Sequence, residues 1–225
     1  MNKIHPTAII GPGVTIGESN VIEAYAVIVG NTQLGNSNWI GPHVVIGSPP
    51  ESRAHHDPLT NISGETSGRV VIGSRCVIHE HSAIQSPTLN VTHVGDDVFL
   101  MHGVHIGHDC YVGNGVTIAP TSVLAGHVTV AKSATLGIAT VVHQHIKIGG
   151  LSMIGMNSTV VKHVKPFSLY VGSPARFLSL NEIGLSRAGI SLDTIQHLVR
   201  EPWEDWKISD FPENVLEFLT EDQLS

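Results

Sequence analysis

Aromatic residues are scarce in this chain of 225 residues, at 5%, and charged residues make up only 14%. There are two cysteines, Cys76 and Cys110, and no CxxC pair, so neither a disulfide framework nor a cysteine-based zinc site is expected. No run of Lys and Arg occurs, and the formal net charge is −7, which argues against nucleic acid as a partner. No stretch approaches the roughly 18 consecutive apolar residues of a membrane span. The opening segment MNKIHPTAII lacks the apolar core of a secretory signal, and the cysteine usage makes the cytoplasm the expected compartment. Hydrophobic residues still reach 41%, enough for a sizeable core. With few aromatics and 23 glycines, that core must be built from small and β-branched side chains.

What is present is a repeat. Aliphatic residues recur every sixth position at Ile4, Ile10, Ile16, Ile22, Ile28, Leu34, Ile40 and Ile46. The series resumes at Ile72, Ile78 and Ile84, then runs from Val94 to Val160 without a break. Gly often follows the aliphatic residue, and a small or β-branched residue stands four positions after it, as at Ala8, Val104, Cys110 and Ala134. Each hexad reads as one short strand and one corner, and three hexads as one coil of a triangular solenoid. The aliphatic side chain fills the interior, the smaller one fits the narrow core, and the glycine is expected where the backbone turns and a Cβ would crowd. Both cysteines fall on the small inward position. The solenoid is expected over residues 1–165, with insertions at roughly 48–71 and 86–93, followed by a helical tail over 166–225. In the tail, KPFSLYVGSPAR reads as an exit segment. LSLNEIGLSRAG, SLDTIQHLVREPW (with Ser191 as N-cap) and FPENVLEFLTEDQ read as three short helices.

The register places the interruptions. The insertions leave the eighth and eleventh hexads, and the fourteenth is IGHDCY, from Ile106 to Tyr111. These numbers differ by three, so all three hexads share one face, and LAGH and VHQH follow in the same column. Insertions on a rigid scaffold tend to carry function. A lone histidine is usually an ordinary polar residue, and His5, His43, His79, His93 and His197, five of the fifteen, read that way. His108 differs: Asp109 follows it, and Gly126 lies 18 residues, or one coil, further on. An imidazole oriented by a carboxylate suits a general base. A glycine N–H one strand spacing away, roughly 5 Å, suits a tetrahedral oxyanion. A zinc site of the kind carbonic anhydrases build on such solenoids needs two histidines five residues apart. No pair here has that spacing, and no metal is expected.

The repeat resembles that of the hexapeptide-repeat acyltransferases, a resemblance that implies an all-β solenoid, a left-handed parallel β-helix. More closely, HPTAIIGPGVTIG, HIGHDC, LAGHVTV, VVHQH and NEIGLSRAGIS resemble the UDP-N-acetylglucosamine O-acyltransferases that begin lipid A synthesis. That resemblance implies His108 as base, Asp109 as its partner and Gly126 as oxyanion donor. It implies substrate-contacting roles for His105, His127, His143, Gln144, Asn181 and Arg187. Met156 falls where members that take long chains have a glycine ending the acyl groove, and Arg176 belongs to GSPAR, similar to the exit motif of CoA-dependent members. The family's acidic base-contacting tail residue falls on Ile183, and of its paired basic residues Arg187 remains, beside Ala188. The co-substrates implied are a nucleotide sugar and acyl-ACP or acyl-CoA, with no bound cofactor, in a homotrimer. The alternative is acetyl-CoA-dependent N-acetylation of an amino-deoxy nucleotide sugar.

Overall fold

The structure is a computed structural model that describes residues 1–55, 68–195, 213–216 and 218. Half of the first insertion, His197 and much of the second and third expected helices therefore lie outside the described residues. Twenty-three short strands, from β1 (Lys3–Ile4) to β23 (Thr159–Val160), carry the twenty-three sixth-position aliphatics in order. Every third strand pairs in parallel, building three faces. The first face runs β1-β4-β7 and onward, the second β2-β5-β8 and onward to β23, and the third β3-β6-β9 and onward to β21 (Lys147–Ile148). The result is a left-handed parallel β-helix of triangular section.

Packing follows from the hexad. One residue of each two-residue strand points inward and the other outward, as the two-residue period of a strand requires. Ile28, Ile46, Ile84, Ile106, Leu124 and Val142 are all fully buried in one continuous core. Each such side chain contributes roughly 1.5–3 kcal/mol of burial. Cys76 and Cys110 are buried free thiols in that core, as their position in the hexad predicts. On the edge between the third and first faces the inward position carries asparagines in the early coils, Asn20 and Asn38, before Cys76 takes over. There Asn20 Oδ1 accepts from Asn38 N at 2.9 Å, and the Asn20 side chain donates to Gly35 O at 2.9 Å, so these buried amides are satisfied.

The glycines fill the crowding half of their expected role and not the turning half. The left-handed backbone falls at the third position after the aliphatic residue and is taken mostly by non-glycine residues, including Asp109 (φ 57°), His127 (φ 62°) and His145 (φ 61°). The glycine at the first position answers crowding by the next coil: a Cβ on Gly107 would lie 2.8 Å from Leu124 O.

The tail also begins differently. Residues 166–180 are not a bare exit: β24 (Ser168–Val171) joins the first face and pairs antiparallel with β25 (Arg176–Leu180). Leu178 and Leu180 are therefore strand residues, and helix α1 (Glu182–Arg187) starts only after Asn181. Two further turns of helix, α2 (Leu192–Ile195) and α3 (Glu213–Leu216), follow. Phe167, Leu185, Ile190, Val215 and Phe218 pack with Leu151 in a second small cluster against the last coils.

Candidate active site

Strands β8 (Val45–Ser48), β11 (Ala83–Gln85), β14 (His105–Ile106), β17 (Val123–Leu124) and β20 (Val141–Val142) are consecutive neighbours on the second face. Both insertions and the histidine column thus share one side, as the hexad count requires. His108 and Asp109 sit in the turn leaving β14, on the edge between the second and third faces. His108 Nδ1 lies 2.8 Å from Asp109 Oδ2, with the side chains 19% and 7% exposed.

Asp109 is held as firmly as the imidazole. The second insertion folds over it: Thr88 donates to Oδ2 from its backbone N–H at 2.9 Å and from its hydroxyl at 2.6 Å, and Leu89 N–H donates to Oδ1 at 3.0 Å. The Asp109 N–H donates to Thr92 Oγ1, and the His108 N–H to Gln85 Oε1. Burial by itself would raise the pKa of this carboxyl. The hydrogen bonds from Thr88, His108 and Leu89 outweigh it and hold the pKa down at about 2. An ionised Asp109 keeps the proton of neutral His108 on Nδ1 and leaves Nε2 as the acceptor.

Gly126 lies directly over the ring. A Cβ built there would stand 2.5 Å from His108 Cε1 and 2.6 Å from Nε2, so only glycine fits. His108 N–H, one coil earlier, is engaged by Gln85. The Gly126 N–H, by contrast, makes no hydrogen bond among the described residues. A free donor beside a basic nitrogen is the arrangement acyl transfer needs.

The column continues through His127 and His145, whose rings stack with centroids 4.5 Å apart, and His127 meets His108 edge-on at 5.1 Å. His127 Nε2 is 3.8 Å from Asp109 Oδ2, and burial holds its pKa below the usual imidazole value. His105 is half-buried on the outer side of β14, while His143 and Gln144 are exposed beyond β20, the His143 Nδ1 lying 3.1 Å from Gln144 O. Ligand atoms of His108, Asp109 and His127 come within 4.8 Å of one another and could together hold a metal ion. Asp109 Oδ2 already accepts three hydrogen bonds, however, which favours its role as an orienting carboxylate.

Other expected site residues stand elsewhere in the single chain. Asn181 caps α1, accepting from Gly184 N at 3.1 Å, and donates to Leu151 O at 2.7 Å. With Arg187, Ile183, Lys132, Thr135 and Met153 it lines a cavity of about 700 Å³ beside the first face. Met156 is 71% exposed on the edge between the first and second faces. Arg176 is exposed at the start of β25 and donates to Ala175 O. None of these four joins the His108 column within one chain. Conversely, Gln85, Thr88, Leu89 and Thr92 were not among the expected site residues. The signal for them was the second insertion itself, which lies one coil before His108 in its own column.

The chain matches the bacterial transferase hexapeptide pattern (six repeats) over residues 92–126. It is 39% identical over 219 residues to an acyl-[acyl-carrier-protein]–UDP-N-acetylglucosamine O-acyltransferase of Burkholderia orbicola, covering 88% of this chain and 80% of that protein. A relative of the same name from Campylobacter concisus is 31% identical, over 89% and 81%. Among solved structures, the UDP-N-acetylglucosamine acyltransferase of Campylobacter jejuni superposes with a TM-score of 0.77 at 28% identity, covering 96% of this chain and 94% of that one. The Francisella novicida enzyme gives 0.76 at 29%, over 88% and 73%. A solenoid of this register, with its clamped His108–Asp109 pair, and relatives matched along most of their length make the chain an acyltransferase that belongs to the UDP-N-acetylglucosamine O-acyltransferase family.

Proposed function

We propose that this enzyme moves an acyl group from a carrier-protein thioester to a hydroxyl of UDP-N-acetylglucosamine, the reaction for which its relatives are named. The observation that carries the reading is the His108 Nε2 beside an unengaged Gly126 N–H. His108 takes the proton of the sugar hydroxyl as that oxygen attacks the thioester carbonyl. The Gly126 N–H donates to the resulting oxyanion, and collapse expels the thiolate, which recovers the proton from His108. Asp109 steadies the imidazolium between these steps. His105, His127, His143 and Gln144 would contact the reactants along the column. Among the described residues no helix is long and apolar enough to cross a membrane, which fits work on water-soluble co-substrates in the cytoplasm.

Asn181, Arg187 and Met156 lie away from His108 in one chain, and this supports a homotrimer with sites between subunits. Cyclic closure lets the tail and outer edge of one chain complete the column of the next. Sedimentation equilibrium is expected to give three copies, and a stable, active monomer would overturn this part of the reading. The reaction is tested by mass spectrometry of products from a panel of UDP-sugars against acyl-carrier-protein and acyl-CoA donors. O-acylated UDP-N-acetylglucosamine from the carrier protein is the expected product. An N-acetylated amino-deoxy sugar formed only with acetyl-CoA would favour the GSPAR turn as a CoA contact instead.

A further inference from the structure

The column that carries His108 runs on past Gly126. Strands β14, β17, β20 and β23 pair in register through Ile106, Leu124, Val142 and Val160. Two residues beyond those positions stand His108, Gly126, Gln144 and Lys162. Three strand spacings put Lys162 about 14 Å from His108 along the prism. The turn after β23 is shortened, with Val164 bridging Ile148, and His163 Nδ1 accepts the Lys147 N–H at 3.0 Å, drawing that ring to the third face. Lys162 remains exposed at the head of the column and makes no hydrogen bond or ion pair among the described residues.

The segment of sequence around it differs in charge from the rest of the chain. Residues 131–190 hold six of the twelve Lys and Arg but only one of the nineteen Asp and Glu, Glu182. The segment that carries Lys162 is thus basic within an acidic protein, with its charges spread over several faces: Lys132 and Arg187 stand beside the first face and Lys162 alone on the column. The other end is closed: residues 86–90 cover Asp109, and Gln85 takes the His108 N–H. A reactant lying along this edge with its reacting atom at His108 therefore extends over Gly126 and Gln144 toward Lys162.

We propose that Lys162 is a positioning residue that grips a phosphate group of a co-substrate and so holds that co-substrate's reacting atom at His108. The inference rests on the reading of the reaction given above. Two sources offer this chemistry: the pyrophosphate of the nucleotide sugar and the phosphate at the far end of the donor's pantetheine arm. A lysine serves as a point charge for either, while an arginine in its place keeps the charge and the donors.

The test uses the full chain with steady-state kinetics in both co-substrates and three donors: acyl-carrier-protein, acyl-CoA and an acyl-pantetheine that lacks phosphate. Lys162→Ala is expected to raise one KM about tenfold while kcat stays within about twofold. Lys162→Arg should recover most of the loss, and added salt should narrow the gap between wild type and Lys162→Ala. If the gripped phosphate is the donor's, the defect disappears with acyl-pantetheine. If it is the acceptor's, the defect shows in the KM for the nucleotide sugar and persists with every donor. Unchanged KM values for both co-substrates, or a loss confined to kcat, would overturn the proposal. A wild-type enzyme that accepts no thioester at all would instead sink the reading of the reaction, and would show before any variant is made.

Discussion

Along the edge between the first and second faces, Tyr25, His43, His81 and His102 follow one another with ring centroids 5.1 to 5.5 Å apart. Along the edge between the second and third faces, His108, His127 and His145 do the same at 5.1 and 4.5 Å. Both edges also carry an acid. On the first, Glu80 reaches His79 and His102 at 3.2 Å each, with its side chain 38% exposed. On the second, the Asp109 side chain is 7% exposed and tied by three hydrogen bonds from the 86–90 insertion. Where rings share a hexad position, as Tyr25, His43 and His81 do on one edge and His127 and His145 on the other, the repeat itself stacks each on its copy one coil later. What separates the edges is a carboxylate that cannot move and a coil without a side chain opposite the imidazole. Histidine density alone does not make an active site on this scaffold.

That contrast can be broken in graded steps. Replacing His108 with alanine is expected to lower kcat/KM by about 10²–10⁴-fold, with an unchanged circular dichroism spectrum because no core contact depends on it. A variant retaining half its activity would remove His108 from the role of base. Gly126→Ala should cost about 10²–10³-fold, since its Cβ cannot coexist with the His108 ring at 2.5 Å and the oxyanion loses its approach. Adding Gly126→Ala to His108→Ala should then cost little more, because the two act as one unit. Independent, multiplying losses in the double variant would show that the glycine serves something else.

Asp109→Asn should be milder than either, on the order of tenfold, because the imidazole keeps its place but loses its charged partner. The sign of its pH behaviour follows from a lowered pKa. With the carboxyl held at about 2, the stability it contributes is complete above the ordinary carboxylate range and is lost only as pH falls from there through about 2. Thermal unfolding of wild type and Asp109→Asn should therefore differ by a constant amount from pH 5 to 9 and converge in strong acid. A difference that faded near neutrality would contradict the clamp.

The other edge supplies the smaller effects. Met156→Gly should shift the preferred donor toward longer acyl chains without abolishing turnover, if this exposed side chain closes the groove of a neighbouring subunit. Chain-length profiling that gives the same optimum for both proteins would refute the ruler. Glu80→Gln should change kcat/KM less than about twofold, the usual reach of an exposed pair. A loss comparable to that of Asp109→Asn would erase the distinction between the two edges.

Much of this was legible in one dimension. A six-residue period with three hexads per coil makes register a matter of counting, so strand order, the inward cysteines and the column shared by both insertions, His108 and Gly126 all follow from the sequence. Local rules governed less of the rest. That the left-handed residue is Asp109, His127 or His145, while the glycine answers contact with the next coil, was not legible in the hexad by itself. Leu178–Leu180 became a strand because β24 offered an open edge, against their reading as helix. Asn181 was drawn into capping α1 because the first N–H groups of a helix need acceptors. Thr88, Leu89 and Gln85 were invisible as site residues, for their function lies in where the insertion folds. The repeat determined by itself which residues share an edge. Only the tertiary structure decided which edge has a fixed charge, because fixing Asp109 takes backbone donors from a segment outside the repeat.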